Sequence, residues 1–484
     1  MAAADPIGGH FMNETVKSVP APMLTTFAAL ALCGVAPLLL WSMGPSNQQS
    51  NPLVAITAII IVSGAKFSLV LGYRDRRLNE MVVWLFVYLF LGVAPFVQVM
   101  TGYPATTPGM DSGFALRAAT IILIGCLALI IGLGLGDPRV EATSHAPHSR
   151  PVHRRNTYVL TVITLLLAAY YASQVGFSTL FAARSDLSSA QSDSLGGPFG
   201  ALIVAGAKMG LLVAFVALAI LWRQCARAGQ PRPILMTSIV LLVLIALVNP
   251  VGNARYIFGT VALAVLGVLG LYATVRRFRA VAIGALAGMV VVFPILDTFR
   301  RTLDATVELQ SPLESLTTAD FDAFAQLMNT IKYVESQGIT WGNQLLGVVL
   351  FWVPRDMWSA KPLDTGTLLA EYQGYQFRNL SAPLWAEFYI NLGWVGLILG
   401  MVAFGYVIRV LDRRSEAMLS LYGTPGVAAA IIPFYLLIVL RGSLLQAMTN
   451  LLIILVASWF VTRPAMVRAS TSIRRPRGAY DLTR

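Results

Sequence analysis

An all-α bundle crossing a membrane many times is the fold this sequence predicts, on three observations. Of its 484 residues, 56% are hydrophobic and only 12% charged, where soluble domains carry about 25% charged residues. Apolar runs of membrane-spanning length recur along most of the chain. Basic residues are concentrated in alternate loops, as the positive-inside rule requires. The net charge of +12 is then cytoplasmic anchoring and not a nucleic-acid footprint. The lipid bilayer is the first expected partner, and no nucleic acid is. Cys33, Cys126 and Cys225 lie in or beside apolar runs without a CxxC pair, which excludes a disulfide framework and a zinc site of the usual spacing.

Residues 1–21 form a polar segment without the pattern of a cleavable signal peptide. A span needs about 20 mostly apolar residues, and twelve runs supply them. Nine lie within 22–297, at 22–41, 53–72, 81–100, 115–135, 157–175, 200–222, 233–249, 255–274 and 280–297. Three lie within 388–462, at 388–408, 425–441 and 444–462. Pro433 interrupts the penultimate run, and only Arg441-Gly442-Ser443 turns the chain after it.

Loop charge sets the orientation. Arg74, Arg76 and Arg77 mark one loop, and Arg139, Arg150, Arg154 and Arg155 the next on that side. Arg223, Arg227 and Arg232 follow, then Arg276, Arg277 and Arg279, then Arg409, Arg413 and Arg414. The tail 463–484 is basic as well, whereas loops 42–52 and 101–114 carry no basic residue. Both termini are therefore expected to be cytoplasmic, which an even number of spans satisfies. His145, His148 and His153 fall in the cytoplasmic loop 138–155 and read as part of a solvated segment.

This topology leaves one large external loop, residues 298–387, with short helices of its own. Phe321, Phe324, Met328, Ile331 and Val334 put an apolar face on a helix over 318–337. Thr317 and Asp320 form a loose capping box, and Gly338 is its stop. The apolar run Leu345–Val353 is too short to span and reads as a helix at the interface.

Charges at membrane depth are costly unless they work or reach water. Lys66 lies near a span end and can snorkel; Arg117 lies within a turn of the external boundary. Lys208 lies roughly 12 Å into its span at ~1.5 Å per residue and is harder to excuse. A further set gathers at the external interface: Arg255, Arg300, Arg301, Arg355, Arg378 and Arg441. Guanidinium forks match phosphate oxygens and keep their charge, so a lipid with a phosphate or diphosphate head is the ligand they suit. The loop itself is not basic, since residues 297–386 hold six basic and ten acidic side chains. The expectation is thus that particular arginines converge. Glu387 and Asp297 are the external carboxylates placed to accept a proton from a hydroxyl. The competing reading is that Glu387 serves as a structural partner of an arginine.

The segments Asp320-Phe-Asp322, Pro354-Arg355, Trp358-Ser-Ala-Lys361-Pro362, Asn379-Leu-Ser-Ala-Pro383, Glu387 and Asn391-Leu-Gly393-Trp-Val-Gly396 resemble the Wzy-type polymerases. These are the O-antigen and oligosaccharide repeat-unit polymerases of bacterial envelopes. Asn253-Ala-Arg255 and Phe293-Pro-Ile-Leu-Asp-Thr-Phe-Arg300 are similar in placement. The resemblance implies a multi-pass glycosyltransferase of the bacterial cytoplasmic (inner) membrane. It would polymerise undecaprenyl-pyrophosphate-linked repeat units into a surface polysaccharide at the outer face, without metal or cofactor. It also implies a flippase and a chain-length regulator as partners. In that reading Glu387, Arg355 and Arg255 carry catalysis, and Arg300, Lys361, Arg378, Arg441, Asn379 and Trp385 bind substrate. Two alternatives stand beside it. One is an O-antigen ligase-type transferase with the same lipid donor. The other is a lipid-glycan flippase or transporter, which would favour broken helices and repeated halves. A metal-dependent lipid-linked glycosyltransferase is disfavoured, because the first external loop, 42–52, has no acid.

Overall fold

The computed structural model describes residues 21–43, 50–103, 105–107, 111, 113–137, 152–289 and 312–462. Arg300, Asp297, His145, His148 and the tail from 463 lie outside the described residues.

The regular structure among the described residues is helical throughout. In chain order the helices are α1 (Pro22–Ser42), α2 (Asn51–Gly72), α3 (Leu78–Thr101), α4 (Phe114–Leu135) and α5 (Arg154–Val175). Next come α6 (Arg184–Ser194), α7 (Gly197–Arg227), α8 (Ile234–Leu247), α9 (Arg255–Leu269) and α10 (Val275–Ala287). The loop helices are α11 (Ala323–Gln337), α12 (Asn343–Val349) and α13 (Thr365–Gln373). The chain closes with α14 (Leu384–Tyr422), α15 (Val427–Arg441) and α16 (Leu444–Thr462).

Eight of these, α1 to α5, α7, α14 and α16, are long and apolar enough to cross a membrane. Large apolar side chains stand exposed along them, such as Phe27, Leu38 and Leu166. A soluble surface does not tolerate so much apolar area, and lipid covers it here. The chain is a polytopic helical membrane protein. Three apolar helices are shorter than the runs read from the sequence: α8 has 14 residues, and α9 and α15 have 15 each. Local chemistry ends them early. Asn249 turns its side chain onto the backbone after α8, accepting from the N–H groups of Val251 and Gly252. Gly270, with φ +107°, ends α9 in a conformation that only glycine adopts without strain.

Prolines inside the apolar helices are accommodated one by one. A proline has no N–H, so the carbonyl four residues earlier loses its helical partner. In α1 and α3 a wide π turn, Leu30–Val35 and Leu89–Val93, precedes Pro37 and Pro95. In α15, Pro433 leaves the carbonyl of Ala429 free, and the Tyr272 hydroxyl donates to it at 3.4 Å.

The helix ends gather into two groups. At one end, Arg76 forms a bidentate pair with Glu416, Asp412 accepts from the N–H groups of Asn79 and Glu80, and Arg279 donates to the carbonyls of Leu71 and Gly72. Arg227 donates to Tyr422 O and Arg413 to Gly136 O at the same end. Asp412 thereby caps the start of α3, where four N–H groups lack helical partners. At the other end, Gln98 near the close of α3 donates to the carbonyls of Leu316 and Phe321, and Arg117 near the start of α4 pairs with Glu335 of α11. The arginine-rich ends and the ends that meet the large loop thus lie at opposite poles.

The closest helix pair is α4 with α14. A Cβ at Gly132 would lie 2.1 Å from the carbonyl oxygen of Val402, and one at Gly405 would lie 2.4 Å from Leu129 O. Small residues let these backbones touch, a common way to gain packing where no hydrophobic driving force separates helices from lipid. Gly132→Val is therefore expected to force the two backbones apart and lower the melting temperature of the purified protein by several degrees. An unchanged melting curve would show that this contact does not hold the bundle together.

The run predicted as a span over 388–408 differs most. It begins at Leu384, extends to Tyr422, and is broken at Leu392 and Gly393, where Gly393 has φ +59°. The break frees the carbonyls of Ile390 and Asn391. The N–H of Thr340 takes the first at 2.8 Å and the N–H of Gly342 the second at 3.2 Å. The Asn391 side chain accepts from Leu345 N at 3.1 Å. So α12, the short helix read over 345–353, is held in the notch of α14 instead of passing through the membrane. The segment 384–391 belongs with the loop.

Candidate functional site

One of the places where the large loop is fastened to the bundle gathers paired charges. The predicted helix over 318–337 begins later, at Ala323, because Ala319–Phe321 forms a tight turn before it. That turn places Asp320 and Asp322 on the ends of α9 and α15. Arg255, the first residue of α9, pairs with Asp320 at 2.5 Å. Arg441, the last residue of α15, pairs with Asp322 at 3.0 Å and donates to the carbonyls of Asp320 and Ala319, both at 2.9 Å. The Arg441 guanidinium also lies over the Tyr256 ring, 5.1 Å from its centroid. Two arginines that are 186 positions apart thus converge on one three-residue turn.

The two aspartates differ. The Asp322 side chain is 2% exposed and also accepts from Ser381 N at 3.2 Å and Thr106 Oγ1 at 3.4 Å. It locks the loop. Asp320 is 19% exposed, and the side chains of Arg255 and Arg441 are 15% and 19% exposed. This half of the cluster is the more exposed of the two.

Arg255 is positioned from below. Asn253, two residues earlier, accepts from Lys208 Nζ at 2.8 Å and donates to the carbonyls of Leu247 and Asn249. Lys208 sits in the wide turn Gly206–Gly210 of α7 and lies 5.3 Å from the centre of the Tyr171 ring. The buried lysine therefore holds the turn that carries Arg255.

Glu387 lies on the other side of Arg441. It is fully buried, and its oxygens accept from Thr365 Oγ1 at 2.8 Å, Ser443 Oγ at 3.0 Å and Leu444 N at 2.9 Å. Leu444 opens α16, so the carboxylate caps that helix start, where the helix dipole favours negative charge. Ser443 follows Arg441 by two residues and Ala382 N donates to Arg441 O at 3.0 Å, so Glu387 and Arg441 share one structural neighbourhood. Both oxygens are occupied and covered, so in this structure the carboxylate holds the start of α16 and is turned away from solvent.

The remaining expected residues are not part of this cluster. Arg355 donates to the carbonyls of Lys361 and Pro362, at 2.6 and 3.0 Å, and Lys361 donates to those of Phe351 and Val353 at 2.6 and 2.9 Å. Together they staple the loop 351–362. Burial and the neighbouring Arg355 charge lower the Lys361 pKa from its usual value. Arg378 is exposed and pairs with Glu371 at 3.4 Å, and Asn379 is exposed beside it. Trp385 is 0% exposed, donates to Ile122 O at 3.3 Å and packs on Gly125, so it joins α14 to α4 and offers no face to a sugar. Arg300 lies outside the described residues.

Sequence reading missed the hydroxyls of Thr365 and Ser443, and took Asp320 and Asp322 only as a motif. A serine immediately before an apolar run is an N-cap signal, which marks Ser443 but not its carboxylate partner.

The fold and this cluster define a class: a polytopic helical membrane protein whose large loop is clasped to the helix ends by paired arginines and aspartates. No family model, no curated protein and no solved structure matches the chain.

Proposed function

We propose that the protein is a membrane glycosyltransferase that extends a glycan carried on undecaprenyl pyrophosphate, of the repeat-unit polymerase type. The observation that carries this reading is the convergence of Arg255 and Arg441 on one partly exposed turn. In the reaction, a hydroxyl of the incoming unit attacks the anomeric carbon of the donor, the bond from that carbon to the diphosphate oxygen breaks, and the departing lipid diphosphate takes up the hydroxyl proton. Charge grows on that diphosphate, and oriented guanidinium groups stabilise it. In this reading the bundle crosses the bacterial inner membrane twelve times with both termini in the cytoplasm. The arginine-rich pole is then cytoplasmic, and the loop pole faces outward, where the lipid-linked unit is presented. The flippase reading is weaker, because Lys208, the deepest charge in the spans, is engaged with Asn253.

Charge balance sets how the site must work. Two arginines face two aspartates, so an arriving diphosphate has to displace a carboxylate. Asp320 is the one that can yield, since Arg255 is the side chain it meets and it is more exposed than Asp322. Asp320→Asn is therefore expected to tighten binding of a lipid diphosphate several-fold, read as a lower KM for the lipid-linked donor. A loss of stability with KM unchanged would make the pair a structural clasp and overturn its role in binding.

A further inference from the structure

The arginine-rich pole contains a cavity of about 1080 Å³, far from the cluster described above, between the start of α3, the ends of α7, α14 and α16, and the start of α15. Arg223, Arg227 and Arg414 are at its wall. Three more of its wall residues are buried and hold a polar atom with no hydrogen-bond partner among the described residues: Asn79 Oδ1, Ser415 Oγ and Ser458 Oγ. Buried polar atoms are normally satisfied, so these three mark a place where something polar belongs.

The charge is equally unspent. Among the described residues the acids of this pole are engaged elsewhere: Glu416 with Arg76, Asp412 with the start of α3, Asp137 with Arg409, and Asp75 and Glu80 with Arg77. Arg227 donates to Tyr422 O, while Arg223 and Arg414 have no carboxylate partner among the described residues. Most of the remaining wall is apolar, and Leu455 and Trp459, one turn apart on α16, stand 44% and 52% exposed on its outer side. A chain entering there lies along lipid-facing surface, and its head reaches the arginines.

We infer that this cavity binds an anionic phospholipid, its phosphate between Arg223 and Arg414 and its acyl chain against Leu455 and Trp459. Basic pockets between helices at a cytoplasmic face suit phosphate headgroups in this way. The site is separate from the proposed transfer site and does not depend on that reading.

The test uses the full-length protein in neutral micelles, titrated with dibrominated phosphatidylglycerol or dibrominated phosphatidylcholine while tryptophan fluorescence is followed. Bromine on the acyl chain quenches a nearby indole, and Trp459→Phe identifies the Trp459 share. Phosphatidylglycerol is expected to quench that share at a concentration roughly tenfold below phosphatidylcholine. Arg223→Gln with Arg414→Gln should remove the preference and leave the melting curve unchanged, since neither arginine holds a carboxylate. Equal quenching by the two lipids, a preference that survives the double glutamine variant, or displacement of the lipid by millimolar inorganic phosphate would each overturn the proposal.

Discussion

Arg441→Ala is expected to destabilise the protein by about 3–5 kcal/mol, the cost of breaking a buried ion pair from one side. The Asp322 carboxylate is nearly inaccessible, and without Arg441 it keeps only long hydrogen bonds from Ser381 N and Thr106 Oγ1. The same change releases the carbonyls of Ala319 and Asp320, which fasten the loop turn to α15. Asp322→Asn should cost less, because the amide still accepts from Ser381. The double variant should be less destabilised than the sum of the two, by about 0.5–3 kcal/mol. Denaturant melts of the four proteins in one detergent measure this. Simple additivity would mean that Arg441 and Asp322 do not hold each other, and the clasp would have to be placed elsewhere.

Glu387 separates a positioning role from a chemical one. Glu387→Ala leaves the hydroxyls of Thr365 and Ser443 and the N–H of Leu444 without their acceptor in a buried place. Each unsatisfied group costs about 1–3 kcal/mol, so little folded protein is expected. Glu387→Gln keeps the shape. Its carbonyl accepts from Ser443 and Leu444, and its amide donates to Thr365, whose hydroxyl can turn to accept. This variant should melt within a few degrees of the parent and lose less than tenfold in turnover. Loss of a general base removes about 10²–10⁴ in rate. A loss of that size with normal melting would show that Glu387 acts on substrate, and the positioning assignment would be wrong.

The helical membrane architecture was legible in the sequence because lipid imposes a one-dimensional signal. Every crossing segment must be apolar for about 20 residues, whatever it touches. Breaks within such runs carry no comparable signal. Leu392 and Gly393 sit in a run apolar enough to read as a span despite Asn391, and only the docking of residues 340–345 onto the freed carbonyls shows why α14 opens there. The interface helix over 345–353 was legible from its length, but its seat in that notch was not. At the site, the sequence placed Arg255 and Arg441 at the loop pole, where the structure has them. It did not reveal that Arg255 and Arg441 meet Asp320 and Asp322 across 65 and 119 positions, since ion pairs at that separation follow from packing. Arg355 and Glu387 stood out in the sequence because they are charged among aromatics. In the structure that charge is spent on the loop backbone and on a helix start. Trp385 misled for the same reason: an indole near an interface reads the same whether it faces solvent or the glycine of a neighbouring helix.

The proposal that this protein transfers a glycan between lipid carriers meets its most direct test in one reaction. Purified protein is incubated with a single lipid-linked repeat unit on undecaprenyl pyrophosphate, and the products are separated by length. The account predicts a ladder of products, each longer by one unit, with free undecaprenyl pyrophosphate released in step. Unchanged substrate in that reaction, with the same protein moving the lipid across sealed vesicles, would contradict it.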